Sequence, residues 1–347
     1  MPLDLPGPLG YWGHWDGAWY SEVATEGYTA PNRTAFFPLF PMLLHLGASL
    51  GGGVALWGVG ISLVATVFAL YFLYRIAERL WDATAARATT LAFAFFPTAF
   101  FLNAVYTEAL FVAFAAGSYW AAYVRRDLLL AGLLGALAAA TRNTGVLLLI
   151  PLGYEWVRNR QEFGWRGVAE MALVPAGLLG YMAFLQGRFG DPTMFADAQT
   201  IYWGRELTNP LETLERAWTA AGEGLRYVLD PATLFLDPAA EPALEASGVV
   251  DIAFLALFLV LAGAGFAVLP PGLSMFAFGV MLLPILTPNA ALPLMSLPRF
   301  ILGVFPLFLV LGYLLSRSRL ALYFWLVFAS GLGAGLTAMF VTWRWVA

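Results

Sequence analysis

The stretch VALWGVGISLVATVFALYFLY, residues 54–74, runs for 21 residues without one charged side chain. Coiled as an α-helix at about 1.5 Å per residue it reaches roughly 30 Å, the thickness of a bilayer's hydrocarbon core. A helix satisfies its own backbone N–H and C=O groups where no water can, so these residues are expected to cross a membrane. Nine more apolar stretches follow over residues 88–102, 109–124, 128–140, 145–157, 168–185, 249–269, 273–286, 300–316 and 320–341. Several fall short of the ~20 residues of an ordinary span, so tilted, kinked or re-entrant pieces are expected among ten crossings. The expected fold is an all-α polytopic membrane protein, one transmembrane domain over residues 1–347.

Composition agrees along the whole chain. It is 61% hydrophobic and 12% charged, with a mean hydropathy of +0.75, whereas a soluble domain carries roughly 25% charged residues. The absence of cysteine excludes disulfides, thiolate nucleophiles and Cys-ligated metals. His14 and His45 are too few for a histidine-rich metal centre, and all 18 basic residues are arginine. A net charge of -4 without a basic tract argues against nucleic acid as a partner. Residues 1–10, MPLDLPGPLG, lack the basic and apolar regions of a cleavable signal peptide. No phosphate-binding loop or dinucleotide fingerprint occurs, and Gly51-Gly52-Gly53 reads as a membrane-edge turn. No internal repeat of fixed period is found.

Orientation follows from the arginines, which are enriched in short cytoplasmic loops. Arg75, Arg79 and Arg87, then Arg125 and Arg126, then Arg158, Arg160 and Arg166, then Arg317 and Arg319 fall on alternate turns. That assigns the opposite, extracytoplasmic side to loop 10–35, the turns near residues 103–108 and 142–144, the longer loop 186–247 with a helix over 210–229, and the turn 287–299. The run 36–50, punctuated by Pro38 and Pro41, must then dip in and return.

Asp16 is the strongest pointer to chemistry. A carboxylate at the edge of a bilayer is costly and more often serves a water-filled cavity than packing. A helix N-cap is the competing role. The residues after it form a short amphipathic helix with Trp19, Tyr20 and Val23 on one side and Glu22 and Glu26 on another. His45, on an apolar run, reads as a packed, hydrogen-bonded side chain.

Four motifs occur in order: Trp15-Asp16-Gly17; residues 35–41, AFFPLFP; Tyr106-Thr107-Glu108; and Thr141-Arg142-Asn143-Thr144-Gly145. Together they resemble the GPI mannosyltransferase II (PIG-V) family in its prokaryotic branch. The resemblance implies a GT-C membrane glycosyltransferase that moves a hexose, by family mannose, from a polyprenyl-phosphate donor to a hydroxyl of a glycan, lipid or protein acceptor. It places the site at the extracytoplasmic face of a bacterial or archaeal plasma membrane, with Asp16 as the catalytic acid. A positioned carboxylate can take the hydroxyl proton as the oxygen attacks the anomeric carbon, and direct displacement inverts the configuration.

Other residues fit around that reaction. Arg142, beside Asn143, and Arg299 can hold a lipid phosphate by parallel hydrogen bonds, or snorkel at the interface instead. Tyr106 and Glu108 are supporting residues, Glu108 equally suited to complementing a helix dipole. Glu22 and Glu26 can bind acceptor hydroxyls or a divalent cation, or simply face solvent. No cofactor is expected and a metal is not favoured. Trp15 and Trp19 can stack on a sugar or belong to an aromatic belt. The family pattern has a transmembrane helix ahead of the catalytic loop; here 15 residues precede Asp16, so either a helix lies upstream or this member lacks it, and its loss would put sealing of the site in doubt. A transporter or flippase of lipid-linked sugars is the alternative, though its charges should sit near mid-bilayer, and a noncatalytic scaffold is a third reading.

Overall fold

Helices form over all the predicted apolar stretches, and prolines and glycines cut many of them shorter than a bilayer requires. The computed structural model describes residues 9–229 and 242–346. In order come α1 (Asp16–Glu26), α2 (Leu39–Ser49), α3 (Gly53–Leu80), α4 (Ala83–Ala94), α5 (Glu108–Trp120), α6 (Leu128–Thr141) and α7 (Leu149–Arg158). They are followed by α8 (Arg166–Met171), α9 (Ala176–Phe189), α10 (Met194–Trp203), α11 (Pro210–Leu229), α12 (Pro242–Val268), α13 (Pro271–Leu286), α14 (Phe305–Ser316) and α15 (Arg319–Val341). Among the described residues the sole β-type pairing is an isolated bridge between Arg205 and Asn289.

Local chemistry explains the boundaries. Gly51, Gly52 and Gly53 take φ values of 102°, 88° and 78°, which only glycine adopts cheaply, and turn α2 back along α3. The 11 residues of α2 rise about 16 Å, about half the thickness of a bilayer's hydrocarbon core. Asp82 starts α4 by accepting hydrogen bonds from the backbone N–H of Thr84 and Ala85 at 2.7 and 2.8 Å, and Asp127 starts α6 through Leu130 N–H at 2.9 Å. A π-helical turn, Ala121–Arg125, extends α5 to the arginine-rich end.

Among the described residues, Gly53–Leu80, Ser247–Val268 and Arg319–Val341 are long and apolar enough to span, and Leu297–Gly303 with Phe305–Ser316 forms a fourth candidate bent by 84°. The remaining apolar stretches are shorter helices broken at Pro97, Pro175 and the 3-10 turn Asn143–Leu148. Exposed Leu63, Val64, Val67 and Phe68 on α3 and Tyr323, Phe324, Val327 and Phe328 on α15 give the bundle the apolar exterior of a multi-pass membrane protein.

The interior is aromatic and closely packed. Phe93, Phe96, Phe258 and Phe308 meet edge to face at 4.8 to 5.7 Å between ring centres, joining α4, α12 and α14. Trp81 stacks on Tyr313 at 4.5 Å, Arg317 covers Tyr313, and Arg126 pairs with Glu162 at 2.5 Å. Much of the predicted cytoplasmic arginine set therefore lies at the far end of α3 from the glycine turn. The helix expected over 210–229 is α11, lying along α12. Of the expected loop 186–247, the start belongs to α9 and residues 230–241 lie outside the described residues.

Where α14 crosses α4, a Cβ on Gly312 would fall 2.1 to 2.5 Å from Thr89 Oγ1, Cα and N. Membrane helices associate through such small-residue approaches. Gly312→Ala is expected to lose about 1–3 kcal/mol of stability through overpacking, read as a lower unfolding temperature in detergent; an unchanged melt would show that the helices separate freely there.

Candidate functional site

The segment leading into α1 is built to hold one side chain. The backbone N–H of Gly17 donates to His14 O at 3.1 Å, closing a turn in which Trp15 has φ 55° and ψ -118°. This is a glycine-type conformation, and a tryptophan there costs about 1–3 kcal/mol. The strain is held by its surroundings. Val105 N–H donates to Trp12 O at 2.9 Å, Tyr106 OH donates to His14 O at 2.9 Å, and the His14 ring stacks on Trp343 at 3.7 Å. Asp16, first residue of α1, makes no capping bond to the helix, so the capping role gives way to a different partner.

That partner is Arg299, in the short helical turn Leu297–Phe300, whose Nη1 donates to Asp16 Oδ2 at 2.6 Å. Arg299 Nε also lies 3.3 Å from Oε1 of Glu108, the first residue of α5. Arg142, released from α6 in extended conformation with φ -152°, donates from Nη2 to the same Glu108 oxygen. Its Nε donates to Thr107 Oγ1 at 3.0 Å, and Tyr20 OH lies 3.2 Å from that hydroxyl. Burial pushes the Tyr20 hydroxyl up to about 12, so it remains a neutral O–H. The chain Asp16, Arg299, Glu108, Arg142 thus alternates in sign. Glu108 is fully buried, while the Asp16 side chain keeps 29% of its surface exposed.

Asp16 opens into a cavity of about 1220 Å³ that runs between α1, α10, α13 and the turn before Arg299. Trp15, Trp19, Glu22, Arg142, Asn143 and Arg299 line it. Tyr106 and Glu108 lie beneath the wall, and Glu26 is on the outer side, its carboxylate 2.6 Å from Arg33. Glu22 shares that arginine at 3.3 Å. Arg142 and Arg299, for which snorkelling was the competing role, are drawn into the ion-pair chain. His45 is exposed rather than packed, with Nδ1 2.8 Å from Ala24 O. Among the described residues no group of three or more His, Asp or Glu is arranged to hold a metal ion.

The sequence reading missed part of this wall. Trp343 and Trp345, just beyond α15, stand edge-on to Trp15 at 5.6 and 5.1 Å and line the cavity. Trp203 meets Trp19 at 5.6 Å. Arg205 also lines it, its Nη1 and Nη2 donating to the carbonyls of Thr287 and Met295 at 3.3 and 2.9 Å. Burial, with Arg299 nearby, presses the Arg205 guanidinium below its ordinary value. Asn289 Nδ2 donates to Trp203 O at 2.6 Å and fastens this loop to residues 287–296. The tryptophans look like interface anchors in sequence, and Arg205 stands out there only by its glycine and tryptophan neighbours.

Residues 7–160 match the family model described as Mannosyltransferase (PIG-V). The chain is 32% identical over 116 residues to GPI mannosyltransferase 2 of Drosophila pseudoobscura pseudoobscura, covering 30% of this chain and 25% of that protein. It is 33% identical over 161 residues to GPI alpha-1,6-mannosyltransferase 2 of Mus musculus, covering 43% and 32%. The matches thus span about a third or less of these relatives. The resemblance carried by the four motifs therefore holds for the part of the chain that contains Asp16, Glu108 and Arg142. In fold, the chain superposes on ArnT from Cupriavidus metallidurans in the apo state with a TM-score of 0.57 at 14% identity, covering 99% of this chain and 73% of that one. Against ArnT bound to undecaprenyl phosphate the TM-score is 0.55 at 17% identity, covering 97% and 62%. The fold is that of these ArnT structures, an all-α polytopic membrane bundle.

Removing one partner of a buried ion pair leaves the others uncompensated. Glu108→Ala should cost about 3–5 kcal/mol, and Tyr106→Phe, which removes one neutral hydrogen bond, about 1 kcal/mol. Thermal unfolding of the two variants in the same detergent measures the difference, and equal losses would contradict the central place given to Glu108.

Proposed function

We propose that this chain is a membrane glycosyltransferase that moves a hexose, mannose by family, from a polyprenyl-phosphate donor to an acceptor hydroxyl at the extracytoplasmic face of a bacterial or archaeal plasma membrane. The observation that carries the reading is Asp16: one oxygen is fixed by Arg299, and the side chain stands partly exposed at the wall of a large cavity within the segment that matches the PIG-V model. A glycan, lipid or protein acceptor is consistent with a cavity whose wall mixes tryptophans with a few charged groups. The ArnT fold neighbour solved with undecaprenyl phosphate supplies the donor class to test first.

The chemistry balances with these residues. The acceptor O–H gives its proton to Asp16 Oδ1, its oxygen bonds to the anomeric carbon from the face opposite the phosphate, and the bond from that carbon to the phosphate oxygen breaks. The sugar emerges with inverted configuration, and polyprenyl phosphate leaves carrying the extra negative charge. Arg299 holds Asp16 in one rotamer, Glu108 holds Arg299, and Arg142 balances Glu108, so the base is positioned before substrate arrives. The remaining N–H groups of Arg142 and Arg299 add positive potential where the phosphate charge grows. No step in this scheme calls for a metal or organic cofactor. Trp15 and Trp19 offer ring faces to the sugar.

Asp16→Asn keeps the size of the side chain and removes its basicity. Transfer from polyprenyl-phosphate mannose or glucose to membrane glycan extracts is expected to fall by roughly 10²–10⁴-fold, with the unfolding temperature close to wild type. Undiminished transfer would remove Asp16 as the base. Transfer by neither protein, together with sugar-lipid flux by the wild type in liposomes, would establish the carrier instead.

A further inference from the structure

Three guanidiniums surround one aromatic ring at the wall of the cavity. The Cζ atoms of Arg299, Arg205 and Arg142 lie 5.0, 5.2 and 5.9 Å from the centre of the Phe300 ring. Two acids answer two of these charges: Asp16 and Glu108 take Arg299, and Glu108 takes Arg142. Among the described residues no carboxylate comes within ion-pair distance of Arg205. It is held through the carbonyls of Thr287 and Met295, which fix the direction of its guanidinium without neutralising it. The cluster of Asp16, Glu108, Arg142, Arg205 and Arg299 therefore carries one uncompensated positive charge, and its bearer faces the cavity.

We infer that Arg205 is the seat of the donor's phosphate. The inference rests on the glycosyltransferase reading above and moves the main anion contact away from Arg142 and Arg299, whose charges are already matched. A phosphodiester of single negative charge balances the cluster, and the planar fork of arginine suits two phosphate oxygens. The backbone makes the seat rigid. Thr208 N–H donates to Leu286 O at 2.8 Å, Ala290 N–H donates to Gly204 O at 2.9 Å, and Asn289 fastens Trp203. Arg205 is thus carried on two loops bound to each other, with Arg299 and Asp16 near enough to feel its charge. A phosphate on Arg205 lies in the same cavity as Asp16 and leaves that carboxylate's second oxygen for the acceptor, which attacks from the opposite side of the sugar.

The test uses the full-length protein in detergent and a C15 isoprenyl monophosphate, with the uncharged C15 isoprenol, inorganic phosphate and a short-chain anionic phospholipid as comparison ligands. Quenching of the cavity tryptophans reads binding. Arg205→Gln should weaken isoprenyl phosphate by roughly 10- to 100-fold and leave isoprenol unchanged, while Arg205→Lys should recover part of the loss. In unmodified protein, saturating isoprenyl phosphate but not isoprenol should slow phenylglyoxal labelling of Arg205, read by peptide mass spectrometry; this arm stands even if the Gln variant does not fold. Equal losses for phosphate and alcohol, or labelling of Arg205 at one rate with and without ligand, would overturn the seat. A loss confined to phospholipid or inorganic phosphate would overturn its assignment to the donor. Wild-type protein that binds isoprenyl phosphate with an Arg205→Gln variant that binds it equally well would leave the transferase reading standing and this inference refuted, whereas no binding by wild type would overturn both.

Discussion

A carboxylate with no exposed surface organises this molecule. Ionised Glu108 in an apolar bundle would cost several kcal/mol if left alone, and it is met by guanidiniums from two distant parts of the chain, Arg142 after α6 and Arg299 before α14. Each arginine in turn fixes something else: Arg142 the Thr107 hydroxyl beside Tyr20, Arg299 the Asp16 carboxylate. The position of the proposed base is therefore set by packing inside the bundle, while the base itself faces the cavity. The division suits a reaction in which one group must stay still and a large lipid must come and go.

The strained turn at Trp15 belongs to the same economy. An unfavourable backbone angle persists where surrounding contacts determine it, and here the 103–107 segment, the end of α15 and the residues after it all bear on residues 12–15. Removing the strain would gain stability but would free Asp16 to rotate away from Arg299. The aromatic ring pairs around it, Trp15 with Trp343 and Trp345 and His14 with Trp343, close the cavity on a side that backbone hydrogen bonds alone would leave open.

Helix positions were largely legible because hydrophobic runs and proline breaks act locally. The 210–229 helix and the glycine turn could both be read that way. Asp16, Glu108, Arg142 and Arg299 could also be singled out, since each is a charge in an otherwise apolar context. Their pairing could not, because Asp16 and Arg299 are 283 residues apart and nothing in either neighbourhood encodes the other. Which short apolar runs cross and which are buried among neighbours was not legible for a related reason, because such a run reads alike in either case. Arg205 was overlooked because its importance lies in what it lacks, and the absence of a carboxylate around one cation becomes visible only when the loops are folded together.

The long separation of Asp16 from Arg299 also has a consequence for how the protein is made. Synthesis delivers Asp16, then Glu108 and Arg142, and only much later the turn that holds Arg299. Until that turn is inserted, Glu108 has one cation instead of two and Asp16 has none, so a partly synthesised chain holds its acid loosely at the membrane edge. The Leu297–Phe300 turn is therefore a completion step for the ion-pair chain, and a chain stalled before it has the proposed base without the arginine that holds it.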